Sequence, residues 1–246
     1  MRFITILLFV LLPCTAFADR ITETETGLPI TVDDATPTEK GTGEWQLSTQ
    51  YEHTRSSEEQ LTFAPQFQYG IAKDTEFSLT VPFDIGSAVD NHGGDLGAEI
   101  LYNFIEEDEM PAVSFAERLN LPTGDGSAGI ETVTRLLASK HIFDSFGQNA
   151  IHANLGWTHY TAVTDEERRN SFMAVIGASH GFGEHTALVA DLVREQEPEK
   201  HQTDNLAELG LRQELAKDFL VSIGGGVGIG EDSPAFRTTL GVQLGF

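Results

Sequence analysis

The chain has 246 residues, with 15 Lys+Arg against 38 Asp+Glu and a formal charge of −23 at pH 7. That length suffices for one closed core, and so acidic a balance excludes an extended nucleic-acid footprint, where phosphate repulsion would go unopposed. The 16 Phe, 2 Trp and 4 Tyr exclude a solvated disordered chain.

The amino terminus reads as an address. Arg2 supplies the positive charge, Phe3 to Leu12 form a short apolar run, and Ala16-Phe17-Ala18 is an A-x-A cleavage pattern, so a signal peptide covers 1–18 and the mature chain starts at Asp19. The run is too short for a membrane-spanning helix. Cys14, the only cysteine, would be the acylated residue of a lipoprotein, but Pro13 before it fits that signal poorly. Once the leader is gone the chain holds no cysteine, which excludes disulfides, thiolate metal sites and Cys nucleophiles. Residues 19–42 alternate little and read as a periplasmic tail or a partial plug.

From residue 43 one pattern repeats: about ten residues alternating apolar and polar, then a turn. Trp45, Leu47, Thr49 and Tyr51 oppose Gln46, Ser48, Gln50 and Glu52. Leu61 to Tyr69, Phe77 to Phe83 and Leu96 to Phe104 repeat it, as do Ile151 to Trp157, Phe219 to Ile229 and Phe236 to Phe246. Each such segment is a strand with one greasy and one wet face. Weaker candidates at 111–121, 132–141, 171–180, 186–195 and 205–215 bring the count to twelve, or ten if two fail. Alternation is blurred in 132–141 and 171–180, and 205–218 is rich enough in helix formers to be drawn as an amphipathic helix.

Connections after odd-numbered segments are mostly long and polar (54–59, 85–93, 122–129, 161–170, 196–204). Those after even-numbered segments are shorter (70–74, 105–110, 142–147, 181–185, 216–218). Such sorting, with an even count and strands of bilayer length, predicts an all-β fold: a transmembrane antiparallel β-barrel over 43–246 in the outer membrane.

Inward projection of the polar positions gives the candidate lumen: Glu44, Glu52, Glu76, Asp84, Asp95, Glu99, Asp191, Glu208 and Glu214, with Arg118, Arg212, Arg237 and His152. Acids at strand ends would be solvated; acids inside would favour cations and neutral solutes over anions. Gly124 to Gly129 match G-x-G-x-x-G, but the β-like Ile130-Glu131-Thr132-Val133-Thr134 follows instead of a helix, so an external loop is expected. Glycines at alternate positions in 224–230 suggest a smooth strip of interior. His180 and His185 flank a glycine-rich turn unsuited to a helical zinc site. No Ser–His pair stands in a nucleophile context. No cofactor, metal site or enzymatic activity is expected.

Leu28-Pro29-Ile30-Thr31-Val32-Asp33-Asp34-Ala35, running through Glu39-Lys40-Gly41 into Trp45-Gln46-Leu47, resembles the opening of a family of outer-membrane barrels named for the MetA pathway of phenol degradation. Leu121-Pro122-Thr123-Gly124 resembles that family's mid-chain signature, and Phe246 with its alternating apolar predecessors resembles the terminal strand signal of outer-membrane proteins. The resemblance covers most of the mature chain. It implies a transporter-like barrel passing small molecules, aromatic or hydrophobic ones included.

The expectation is therefore a passive channel for small neutral or hydrophobic molecules. Its partners would be outer-membrane lipid, small-molecule solutes and the barrel-assembly machinery, which reads the last strand, with no nucleic acid. The alternatives are a structural or adhesive barrel with a filled interior, and a soluble secreted β-protein.

Overall fold

A computed structural model describes residues 21–88, 92–124, 128–144 and 147–246. The expected signal peptide 1–18, the expected mature start at Asp19 and the loop residues Asp125, Gly126 and Ser127 lie outside the described residues. The strands are β1 (Gly43–His53), β2 (Glu59–Ala72), β3 (Thr75–Thr80), β4 (Phe83–Gly86), β5 (His92–Gly93), β6 (Leu96–Ile105), β7 (Ala112–Leu121), β8 (Glu131–Asp144), β9 (Gly147–Tyr160), β10 (Asn170–Gly181), β11 (Thr186–Gln196), β12 (Thr203–Ala216), β13 (Phe219–Gly228) and β14 (Phe236–Gly245).

Every pairing is antiparallel between neighbours, and β1 pairs with both β2 and β14, so the sheet closes on itself. The closure runs from Glu44 opposite Gly245 to His53 opposite Phe236. Gly43 and Phe246 finish it with reciprocal backbone bonds of 3.0 and 2.9 Å. The barrel has twelve wall positions because two of them are interrupted. β2 pairs with β3 along Gln66 to Ala72 and with β4 along Gln60 to Phe63; Pro82, which has no N–H to give the ladder, lies in the gap. Across the same gap β5 and β6 share the next position, joined through Gly94, whose N–H bonds the Pro82 carbonyl at 2.8 Å.

Of the stretch 205–218, open to a helical reading, residues 205–216 belong to strand β12 and 217–218 to the turn after it. Helix propensity loses there because a lone helix in the wall would leave the β11 and β13 edges unpaired in lipid. The two-residue connections 73–74 and 217–218 and the turn 182–185 gather at one end of the barrel. The longer 161–169 and 229–235 gather at the other. In outer-membrane barrels the short-turn end faces the periplasm.

The outer face is apolar: Leu155, Ile176, Leu192, Leu209, Ile223 and Leu240 stand exposed on successive strands. Aromatic rings ring both ends. Trp45 and Phe67 lie 4.9 Å apart at the short-turn end, with Phe246 6.1 Å from Phe67, and Tyr51 lies 5.8 Å from Phe236 at the other. An apolar belt between two aromatic girdles is the exterior of a bilayer-spanning barrel. This protein is an outer-membrane barrel.

Leu209 sits halfway along β12 and is 55% exposed. Leu209→Arg should cost about 2–4 kcal/mol of folding free energy in lipid, read by urea-dependent refolding into vesicles. A soluble β-protein would absorb the same change within about 0.5 kcal/mol.

Candidate functional site: the barrel lumen

Residues 21–42 run inside the barrel, and from Gly27 onward they travel around its inner wall one strand at a time. The Gly27 carbonyl accepts the Ser48 hydroxyl of β1 at 2.8 Å. Leu28 packs where Gly241 of β14 has no side chain, and Pro29 where Gly224 of β13 and Gly210 of β12 have none. Thr31 donates its N–H and hydroxyl to Glu208 Oε2 of β12 at 3.0 and 2.5 Å. The Val32 N–H goes to Asp191 Oδ2 of β11 at 2.7 Å, and its side chain fills the space over Gly177 of β10.

Asp33 exchanges two bonds of 2.7 Å with the Asn154 amide of β9. The Ala35 N–H reaches Ser139 of β8, and its carbonyl accepts Ser114 of β7 and Asn103 of β6. Thr38 binds Glu76 Oε2 of β3 through N–H and hydroxyl, both at 2.8 Å, and accepts from Gln68 of β2 at 2.7 Å. Gly41 then bonds the Gly70 carbonyl at 2.8 Å, and Gly43 opens β1. The segment has completed a circuit of the wall. Thr22 to Thr26 cross within this hoop, where Thr24 accepts the Asp34 N–H at 2.9 Å and Thr26 accepts from Arg135 at 3.3 Å.

The wall is shaped for the hoop. Four glycines leave room where any Cβ would lie within 2.3–2.7 Å of Pro29, Val32 or Leu28. Val175, Val189, Val193 and Leu206 point inward and bury Ile30 and Val32, and Leu101, Ala112, Ala116 and Leu137 bury Ala35. Apolar side chains inside a barrel have no reason to face water; here they face the hoop.

The thirteen sequence-derived candidates divide by what they bind. Glu76, Asp191 and Glu208 accept the hoop's backbone N–H groups, and Arg212 donates to the Glu23 carbonyl and to Gln243. Arg237 bridges Glu52 and Glu208, and Arg118 pairs with Glu99 at 3.2 Å. Asp84 accepts from Thr62 and Gln60. Asp95 lies outside the strands and accepts the Gly124 N–H at 2.9 Å. Glu214 sits at the short-turn rim, 2.7 Å from His185.

His152 is fully buried and completes a relay that ties both arms of the hoop. Ser139 Oγ accepts the Ala35 N–H and lies 2.9 Å from His152 Nδ1; Ser179 Oγ lies 3.4 Å from Nε2 and donates to the Thr22 carbonyl at 2.7 Å. Both serine hydroxyl protons are then accounted for when the neutral ring carries its proton on Nε2. With its hydroxyl bound to the ring and its oxygen taken by the hoop, Ser139 is a fastening.

Arg135 is the cation that sequence reasoning missed. It holds Glu99 with two bonds of 2.7 and 2.8 Å and Asp33 with one of 2.7 Å, joining wall to hoop. The signal was present in the register, since Arg135 of β8 is opposite Ala116 of β7 and two strands from Glu99 of β6.

Beside the hoop a cavity of about 400 Å³ remains. It follows β1 from Glu44 through Gln46 and Ser48 to Gln50, with Thr62, Gln66, Gln68, Glu76 and Thr80 on the next two wall strands. Glu25, Asp33 and Asp34 border it from the hoop side, and Glu99, Arg118 and Arg135 from β6, β7 and β8. Glu25 and Glu44 share the amides of Gln46 and Gln243.

Two outcomes follow. Asp191→Ala strands the buried Val32 N–H and should cost about 1–3 kcal/mol, whereas Gly210→Val should expel Pro29 and expose 21–42 to added protease while the barrel still shifts on unheated SDS gels. At the rim, the hydrogen bond that His185 donates to the Glu214 carboxylate raises the His185 pKa above its ordinary value. The pair therefore holds below that range and is lost as pH rises through the shifted value; an NMR titration should show this, and Glu214→Gln should return His185 to about 6.5.

No family model and no curated protein matches the sequence. Solved structures do match in fold. An outer-membrane channel from Pseudomonas putida F1 aligns over 91% of this chain and 100% of its own, with a TM-score of 0.69 at 13% identity. The KdgM porin, solved in complex with disordered oligogalacturonate, aligns over 83% of this chain and 99% of its own, with a TM-score of 0.58 at 11% identity. The NanC porin covers 82% and 98%, with a TM-score of 0.55 at 12% identity. The chain has the fold of these outer-membrane channels and porins.

Proposed function

We propose that the protein is a passive outer-membrane channel in which small solutes pass beside the amino-terminal hoop, neutral polar molecules and cations ahead of anions. The observation that carries this reading is the cavity along β1, β2 and β3, left open beside the hoop and lined mostly by amides, hydroxyls and carboxylates. The carboxylates outnumber the two guanidiniums there, so an anion meets a repulsive field in a confined space. The resemblance to the MetA-pathway barrels implies hydrophobic or aromatic cargo as well. Such cargo finds only Leu28, Pro37, Ala64 and Leu101 as sizeable apolar partners, and would strip water from carboxylates with nothing in exchange. Neutral polar solutes fit the lining better.

A second reading has an observation of its own. Residues 21–42 are seated on a wall with matching glycines and apolar patches, as expected of a structural barrel whose interior is filled. In either reading residues 21–42 act as a plug-like part of the lumen.

Single-channel recording of the refolded protein separates the two. A channel should give discrete steps with cation preference, and deletion of residues 19–40 should enlarge them. A silent full-length barrel that conducts only after the deletion would establish the filled reading, and clear anion preference would sink the charge argument.

A further inference from the structure

The carboxylates around the cavity fall into two sets. Arg135 and Arg118 neutralise Glu99 and Asp33, while the neighbouring Arg212 donates to the Glu23 carbonyl and to Gln243 and makes no ion pair among the described residues. Glu25, Glu44 and Glu76 form no ion pair among the described residues; they accept only from neutral amides, a hydroxyl and a backbone N–H. Glu76 is 6% exposed, and while its Oε2 takes both Thr38 donors and Gln68, its Oε1 has no hydrogen-bond partner among the described residues. Asp34 is 5% exposed and gives Oδ1 to the Thr36 N–H, leaving Oδ2 without a partner. Both residues border the cavity. Buried carboxylates without a cation are costly, and the cost falls when a cation that also donates hydrogen bonds lies among them.

We infer that this cavity is a binding site for small primary amines, with the ammonium group among Glu25, Glu44 and Glu76. The assignment deepens the channel reading and rests on it insofar as the amine is the solute that passes. A primary ammonium is a compact charge with three donors, suited to oxygens converging from three directions. A guanidinium asks for both oxygens of one carboxylate in a planar fork. A quaternary ammonium has no N–H to offer, and a polyol has no charge. Farther along the cavity Gln50, Gln66, Thr62 and Thr80 can take a second polar end, so a short diamine or amino alcohol matches its length. The volume of about 400 Å³ is in the range of small-molecule pockets.

The test is titration calorimetry of the folded, full-length barrel in detergent at low salt, with putrescine as the probe and 1,4-butanediol and tetramethylammonium as controls. Putrescine should bind saturably, and both controls at least about tenfold more weakly. Glu25→Gln and Glu44→Gln should each weaken putrescine by about fivefold to tenfold. Glu44 lies at the rim and touches no hoop backbone, so Glu44→Gln still reads the site should Glu25→Gln lose the heat shift of a folded barrel. No saturable heat with putrescine, equal binding of either control, or wild-type affinity in both variants would overturn the assignment. Bilayer recording of the same preparation keeps the two readings apart. Putrescine binding without conductance supports the site and removes the channel; conductance without putrescine binding keeps the channel and overturns the site.

Discussion

A peptide laid along the inside of a barrel brings its own unpaired backbone with it, and the wall strands have none to spare, because each of their N–H and C=O groups is committed to a neighbour. Until the hoop reaches Gly70 of β2, whose C=O and N–H pair with Gly41 and Thr42, its hydrogen bonds to the wall must therefore come from wall side chains. This constraint explains the lumen better than any requirement of permeation. Asp191, Glu208 and Glu76 serve as acceptors for Val32, Thr31 and Thr38. Asn154 works in both directions on Asp33, and Ser139, Ser114 and Asn103 serve Ala35. Polar residues on the inner face of a barrel are usually assigned to water or solute; many of these are the missing half of a segment's secondary structure.

The same constraint decides what could be read from the sequence. Strands facing the open cavity or the apolar glycine strip alternate cleanly, and so Trp45 to Tyr51 or Phe236 to Leu244 were legible at once. The loop sorting and the closure followed from them. Blurred segments are those behind the hoop's apolar stretch. In β8, Leu137 points inward to Ala35; in β10, Val175 points inward to Val32; in β11 and β12, Val189, Val193 and Leu206 do so as well. Each puts an apolar residue on the face that should be wet, so period-two contrast fades although the strand is intact.

The lumen candidates were legible as positions because parity alone fixes which side a strand residue faces. Their partners were not. Whether Glu208 faces water, Arg237 or the Thr31 N–H depends on a segment more than 170 residues earlier in sequence, and no local pattern in 19–42 announces its route. Arg135 escaped notice for the same reason as its strand: Thr132 and Thr134 on one face and Val133 on the other hid the parity that places it beside Glu99. Only the glycines of 224–230 gave a hint, since a smooth strip implies that something lies against it, and Pro29 does.

The hoop meets the wall strands in the order in which they stand around the barrel, from β1 backward through β14 to β2, and then becomes β1 itself. Its length is thus a measure of the circumference. Barrels of this class change size by gaining or losing a hairpin, two strands at a time, and most tolerate it because nothing inside spans the ring. Here an added hairpin would leave two wall positions without a facing residue and pull Thr38 away from Glu76, while a lost one would crowd the segment against itself. Strand number and the sequence of residues 27–42 can change only together, so a chain in which one had drifted should carry the mark in the other.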